Sequence, residues 1–211
     1  MSIRLDMESM NHTIGITGGI GAGKSVVSRV LRCNGFKVYD CDSQAKNLMV
    51  SNPEVKEKLI EKLGKDIYQS DGRINKEKLA FLLFSDSGTR EYVNLVVHSA
   101  VREDIEKCRK KERGYFFIEA AILATGGIAP MCNSIWVVEA PEPERIKRVE
   151  IRDNMDSTDI KRRIQSQQDE LKLLSGFNTV VLENDGKHPL VIEILKLTDK
   201  LNQQQTYFIP C

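Results

Sequence analysis

The chain has 211 residues, 41% of them hydrophobic and 29% charged, with a formal net charge of +1. That is the make-up of a soluble globular protein, of one domain with insertions or of a core plus a small lobe. The near-zero charge removes any global bias toward nucleic acid or an anionic membrane, and no run of about 18 apolar residues is present to span a bilayer.

The five cysteines, Cys33, Cys41, Cys108, Cys132 and Cys211, form no C-x-x-C pair. The first residues carry acids and lack an apolar signal core. Reduced thiols in the cytoplasm are therefore expected. The first dozen residues read as a loose extension ahead of the first strand.

Thr13 to Thr17 predicts a short buried strand. It runs into Gly18-Gly19-Ile20-Gly21-Ala22-Gly23-Lys24-Ser25, where Gly18, four residues, Gly23, Lys24 and Ser25 fit the phosphate-binding loop. Glycines let successive backbone N–H groups turn toward one anion. Lys24 adds a mobile cation for β- and γ-phosphates, and Ser25 offers a hydroxyl to Mg²⁺. Val26, Val27, Val30 and Leu31 recur at helical spacing as far as Asn34-Gly35, so a helix N-terminus faces the phosphates. A glycine-rich turn with an incidental lysine is the structural alternative. The order strand, loop, helix favours phosphate binding.

Phe36 to Tyr39 predicts a second strand, followed by Asp40-Cys41-Asp42. Carboxylates just past a strand end lie where open α/β sheets place their ligands. One of the pair, for which Asp42 is suited, could equally cap the next helix. From Asn52 to about Lys111 the pattern is helical throughout, with a turn at Asp71-Gly72. It reads as an inserted helical lobe for a second substrate, or as a plain structural layer. Leu79, Leu82 and Leu83 mark one of its helices. Tyr115 to Ile118 is an apolar strand ending in Glu119, a weak signal for a carboxylate that supports Mg²⁺ through water. Ser134 to Val138 is another buried strand.

Glu144 to Gln168 is dense in arginine and lysine. A solvated helical face is the default for such a run. Beside a phosphate loop it also describes a lid that brings guanidinium groups onto transferring phosphates. Asn178 to Leu182 is the last strand, Asn184-Asp185-Gly186 a turn, and Leu190 onward a final helix that frays from Gln203.

Taken together, Ile16 to Ser25, Val38 to Asp42, Asp71 to Asn75, Leu79 to Phe84, His98, Arg152-Asp153, Arg163 to Gln167 and Asn184 to Gly186 resemble the dephospho-CoA kinase family over roughly residues 13 to 200. The resemblance implies an α/β fold of phosphate-loop NTPase type. It would have three α/β/α layers around a parallel five-stranded sheet, with a helical substrate-binding insertion and an Arg-rich helical lid. The core would comprise about 13–51, 112–141 and 176–202, the insertion about 52–111 and the lid about 142–175. The implied reaction moves the ATP γ-phosphoryl group to the ribose 3′-hydroxyl of dephospho-CoA.

In that reading Asp42 is the base or orienting group, and Lys24 and Arg152 neutralise charge. Gly19, Ile20, Gly21, Ala22, Gly23, Lys24, Ser25 and Val26 hold the phosphates. Asn184 and Gly186 lie near adenine, and Ser25 meets Mg²⁺. Thr17, Asp40, Asp42, His98 and Arg163 serve the acceptor side. The expected partner is the small molecule dephospho-CoA, with no nucleic acid and no membrane, and the chain is taken as a monomer with weak association left open. Val26 departs from the usual Thr or Ser after the loop, and Ser99 from a usual proline. Ala121 and Thr125 depart from a usual Pro-Leu-Leu-Phe-Glu, so Thr125 is not assigned that glutamate's role. The rivals are a nucleoside or nucleotide kinase of the same fold, and a nucleotide-driven switch with no metabolite acceptor.

Overall fold

The computed structural model describes residues 12–206, so the expected N-terminal extension and Cys211 lie outside the described residues. By internal contact the described chain divides into two compact units: residues 12–39 with 109–206, and Asp40–Cys108.

The first unit is built on a sheet whose strands are β1 (His12–Thr17), β2 (Lys37–Asp40), β3 (Tyr115–Glu119), β4 (Ser134–Glu139) and β5 (Thr179–Glu183). Their spatial order is β2-β3-β1-β4-β5. Parallel pairing sets His12 opposite Tyr115 and Ile16 opposite Glu119, then Ile14 opposite Ser134 and Thr17 opposite Val137. β4 pairs with β5 from Ile135–Thr179 to Glu139–Glu183. The central strands are near-continuous apolar runs because both faces of a parallel sheet are covered. In β1 every residue from Thr13 to Thr17 is buried. This is the parallel α/β sheet that the alternating strand and helix signals predict.

Two helices cover one face: α1 (Lys24–Cys33) and α9 (Leu190–Thr206). Val27 and Leu31 from α1 and Leu190 and Ile194 from α9 join Ile14, Ile16, Phe117, Trp136, Val138 and Leu182 in one core cluster. Each fully buried aliphatic side chain there contributes about 1.5–3 kcal/mol. α1 stops where predicted, with Asn34 at its C-cap and Gly35 at φ 84°. α9 continues through Gln203 to Gln205 instead of fraying there, and glutamine is a good helix former.

The Arg-dense run forms three helices: α6 (Glu142–Asp153), α7 (Ser157–Ser166) and the short α8 (Gln168–Lys172). Val149, Ile160 and Ile164 make a small core of their own between them. Glu170 of α8 is buried. Its carboxylate accepts the N–H of Ala124, the N–H of Thr125 at 3.1 Å and the Thr125 hydroxyl at 2.7 Å. A buried carboxylate is tolerated only with such partners, and here it closes the loop after β3.

The second unit is helical: α2 (Cys41–Ser51), α3 (Pro53–Leu63), α4 (Lys76–Ser85) and α5 (Ser87–Arg109). Local chemistry sets its boundaries. The Asn52 side chain accepts the N–H groups of Glu54 and Val55 ahead of Pro53, and α3 ends at Gly64 with φ 90°. Asp71-Gly72 makes the expected turn, closed by a bridge between Tyr68 and Ile74. Cys41, Met49, Val55, Leu59, Ile67, Val93, Val97, Ala100, Val101 and Ile105 form the buried set. α4 is a helix as expected, yet none of its residues is buried, and Phe81 and Phe84 stand exposed.

The Glu170 clip can be weighed directly. Glu170→Leu leaves two N–H donors unpaired and is expected to cost about 2–3 kcal/mol, lowering the thermal midpoint by roughly 4–12 °C. Glu170→Gln, which keeps one acceptor oxygen, is expected to lose less. Thermal unfolding followed by circular dichroism reads both, and equal midpoints for the three proteins would remove the clip from the account.

Candidate active site

The loop leaves β1 at Thr17 and enters α1 at Lys24, so the glycines lie between a parallel strand's carboxyl end and a helix N-terminus. Gly23 occupies the N-cap of α1 with φ 112°, and no side chain caps the helix. A side chain at Gly23 would be strained there, and its Cβ would lie 2.2 Å from Nδ2 of Asn184. Among the described residues no hydrogen bond takes up the backbone N–H groups of Gly21, Gly23 or Ser25. Donors left unmade at a helix start, in the field of the helix dipole, form an anion site. The Lys24 ammonium lies over the loop and donates to Gly18 O at 2.7 Å. Ser25 and Val26 are exposed, while Ala22 is buried.

The loop's carbonyls are held from the other side. Arg145 Nε donates to Ile20 O at 2.9 Å. Arg148 donates to Gly21 O at 3.3 Å and, through its other nitrogen, to Asn184 O at 2.9 Å. Asn184 Nδ2 donates to Ala22 O at 2.8 Å. Burial pulls the Arg145 pKa below its ordinary value, an effect that Glu142 and Glu139 partly oppose. Its guanidinium lies so close to Gly19 that a Cβ there would meet Nη2 at 2.1 Å. Reading the sequence missed Arg145 and Arg148 as functional residues, since they sit in a run whose default is a solvated face. Their i, i+3 spacing on α6 puts both on one face. That was the one signal available.

Asn184 is thus brought to the loop. Gly186 belongs to the same turn with φ 79°. There Asp185 accepts the N–H groups of Lys187 and His188, and these bonds push its carboxyl down to about 2. Arg152, in the last turn of α6, is exposed and instead grips Asp153 through two hydrogen bonds of 2.8 and 2.7 Å. Arg163 is exposed on α7. Thr17 is fully buried, and its hydroxyl makes no hydrogen bond among the described residues.

The acid pair divides its labour differently from the sequence reading. Asp40, not Asp42, caps α2: Oδ1 accepts the Ser43 N–H at 3.0 Å and Oδ2 the Ser43 hydroxyl at 2.8 Å. The strand ends at Asp40 and the helix begins at the next residue, so geometry gives the cap to the residue before the first turn. Asp42 lies within that turn and is exposed, and no hydrogen bond or ion pair engages it among the described residues. His98, on α5, is half-buried. Burial first, and Arg102 second, lowers its pKa, which favours the neutral imidazole.

No helix among the described residues is long and apolar enough to cross a membrane. No disulfide joins the described cysteines.

The dephospho-CoA kinase family model matches residues 12–189. The dephospho-CoA kinase of Porphyromonas gingivalis is 36% identical over 194 residues, covering 92% of this chain and 96% of that one. A crystal structure from Thermus thermophilus is similar with a TM-score of 0.76 and 29% identity, over 90% of this chain and 97% of the other. The dephospho-CoA kinase from Campylobacter jejuni shares the fold at a TM-score of 0.68 and 20% identity, over 93% of this chain and all of its own. With a phosphate loop of this geometry at the end of its central strand, and a family match across most of its length, the chain belongs to the dephospho-CoA kinase family.

Proposed function

We propose that the chain transfers the γ-phosphoryl group of ATP to the ribose 3′-hydroxyl of dephospho-CoA, an alcohol acceptor, giving coenzyme A. The observation that carries this reading is the loop itself. Its N–H groups at Gly21, Gly23 and Ser25 are unspent, its carbonyls are held by Arg145, Arg148 and Asn184, and Lys24 stands over it. Gly19, Ile20, Gly21, Ala22, Gly23 and Val26 supply backbone to the phosphates, with the start of α1 doing for Val26 what a hydroxyl would do. Ser25 would hold Mg²⁺, which supplies charge neutralisation on the β- and γ-phosphates. Asn184 and Gly186 would lie beside adenine.

Phosphoryl transfer depends on positioning and on neutralising charge. Asp42 suits the acceptor because its oxygens are spent on no other bond, whereas those of Asp40 fix the first turn of α2 that carries Asp42. Thr17, His98 and Arg163 complete the acceptor side in this reading. Arg152 is the mobile charge, which must leave Asp153 to meet the transferring group. The helices of the second unit bind the acceptor's arm, and α6–α8 serve as the lid. The working unit in this reading is a monomer. A cytoplasmic location, expected from the cysteine usage of the sequence, belongs to the same reading.

The direct test is a product assay with Mg-ATP and dephospho-CoA, and with adenosine, AMP and shikimate as competing acceptors, read by mass spectrometry. Gain of one phosphoryl group by dephospho-CoA and little elsewhere is expected. Phosphorylation of AMP or adenosine instead would make the chain a nucleotide or nucleoside kinase, and hydrolysis with no acceptor modified would make it a switch.

Asp42→Ala is expected to lower kcat by about 10²–10⁴-fold while ATP affinity stays within about twofold. Asp40→Ala should instead show mainly the loss of a cap, about 1 kcal/mol of stability. Calorimetric ATP titration with steady-state rates separates the two. Near-normal turnover by Asp42→Ala would remove its role.

Arg152→Ala is expected to reduce kcat by about 100-fold or more with little change in KM for ATP, because its charge acts as the phosphoryl group moves. A raised KM with an unchanged kcat would make Arg152 a ground-state ligand.

A further inference from the structure

One residue of the phosphate loop is attached to the Arg-rich helices in three ways at once. The N–H of Ile20 donates to Oε1 of Gln167, between α7 and α8, at 2.7 Å. Its carbonyl accepts from Arg145 Nε of α6 at 2.9 Å. Its side chain packs against Val149, Ile160 and Ile164, the small core that holds α6 to α7. The two peptide groups that flank the Ile20 Cα, one held through its N–H and the next through its carbonyl, are thereby fixed in orientation. An apolar side chain set in a neighbouring cluster ties its own backbone to that cluster's position.

We propose that Ile20 is a positioning residue, the joint through which α6–α8 and the phosphate loop hold and change position together. The proposal rests on the reading of the loop as a nucleotide site. It gives Ile20 a role distinct from lending backbone to phosphate. Ligand arriving on the unspent N–H of Gly21 sets the Ile20–Gly21 peptide, whose carbonyl Arg145 holds, and Ile20 passes that setting to the core of α6 and α7. Coupling of this kind requires an element that both sites bias, and Ile20 with its two flanking peptides is that element. Arg145 and Gln167 hold it by hydrogen bonds, and the branched side chain holds it by packing.

The test is hydrogen exchange by mass spectrometry on the full chain, with and without Mg-ADP, for the wild type and Ile20→Ala. In the wild type, Mg-ADP is expected to slow exchange about fivefold or more both in the loop peptide and in peptides of α7. In Ile20→Ala the loop should still slow, while α7 stays within about twofold of its nucleotide-free rate. Ile20→Val, which keeps the branched side chain, should restore the response of α7. Gln167→Leu should speed exchange at the Ile20 amide without nucleotide and weaken Mg-ADP binding about three- to tenfold. A wild-type loop that slows while α7 does not, or an α7 that slows equally in Ile20→Ala, overturns the coupling and leaves the nucleotide reading standing. A wild-type loop that does not slow overturns the nucleotide reading and the coupling with it.

Discussion

Everything at the site depends on which way the peptide groups of one short loop face. A peptide is a dipole with two ends, and a loop can offer its N–H groups to an anion only if its carbonyls are satisfied elsewhere. Here the carbonyls of Ile20, Gly21 and Ala22 meet Arg145, Arg148 and Asn184. Charged donors suit this task, because bonds from a guanidinium are stronger than neutral ones in a half-buried setting. Asn184 is in turn fixed by the sheet, its N–H donating to Glu139 O at 2.7 Å. The order β1-β4-β5 therefore does more than build a core, since it carries the residue after β5 to the loop that follows β1.

The acid pair illustrates how a cap can orient a neighbouring side chain. Asp40 spends both carboxylate oxygens on Ser43, one on the backbone and one on the hydroxyl. That bond fixes where the first turn of α2 begins, and with it the direction of the turn bearing Asp42. The two acids are therefore not interchangeable in this chain. In this chain the pair stands where β2 ends and α2 begins, at the point where the backbone leaves the sheet and a helix dipole favours negative charge.

What could be read from the sequence was local. The glycine spacing before Lys24 and Ser25, the apolar runs of β1, β3, β4 and β5, and the stops at Gly35 and Gly64 each depend on a few neighbouring residues, and the structure agrees with them. What could not be read was long-range. Arg145 and Arg148 meet residues more than a hundred positions away, and their i, i+3 spacing puts them on one face without saying that the face meets the loop. The choice between Asp40 and Asp42 as cap turned on one residue of strand length. Thr125, which departs from the family's usual glutamate, gave no hint that Glu170 of α8 would bind its N–H and hydroxyl.

Gln167 and Glu170 lie within one helical turn of each other, and they reach two different loops: Gln167 the Ile20 peptide, Glu170 the Ala124–Thr125 segment. A residue added or removed between them would rotate one side chain by about 100° relative to the other, since an α-helix has 3.6 residues per turn. One of the two loops would then lose its partner. The pair therefore fixes the chain length of this stretch, while the exposed Gln168 and Asp169 between them carry no such constraint. In descent this segment should drift by substitution at those two positions and resist insertion and deletion. The turn at Gly72, whose glycine has no neighbour within 4 Å of a would-be Cβ, is where length can vary at lower cost.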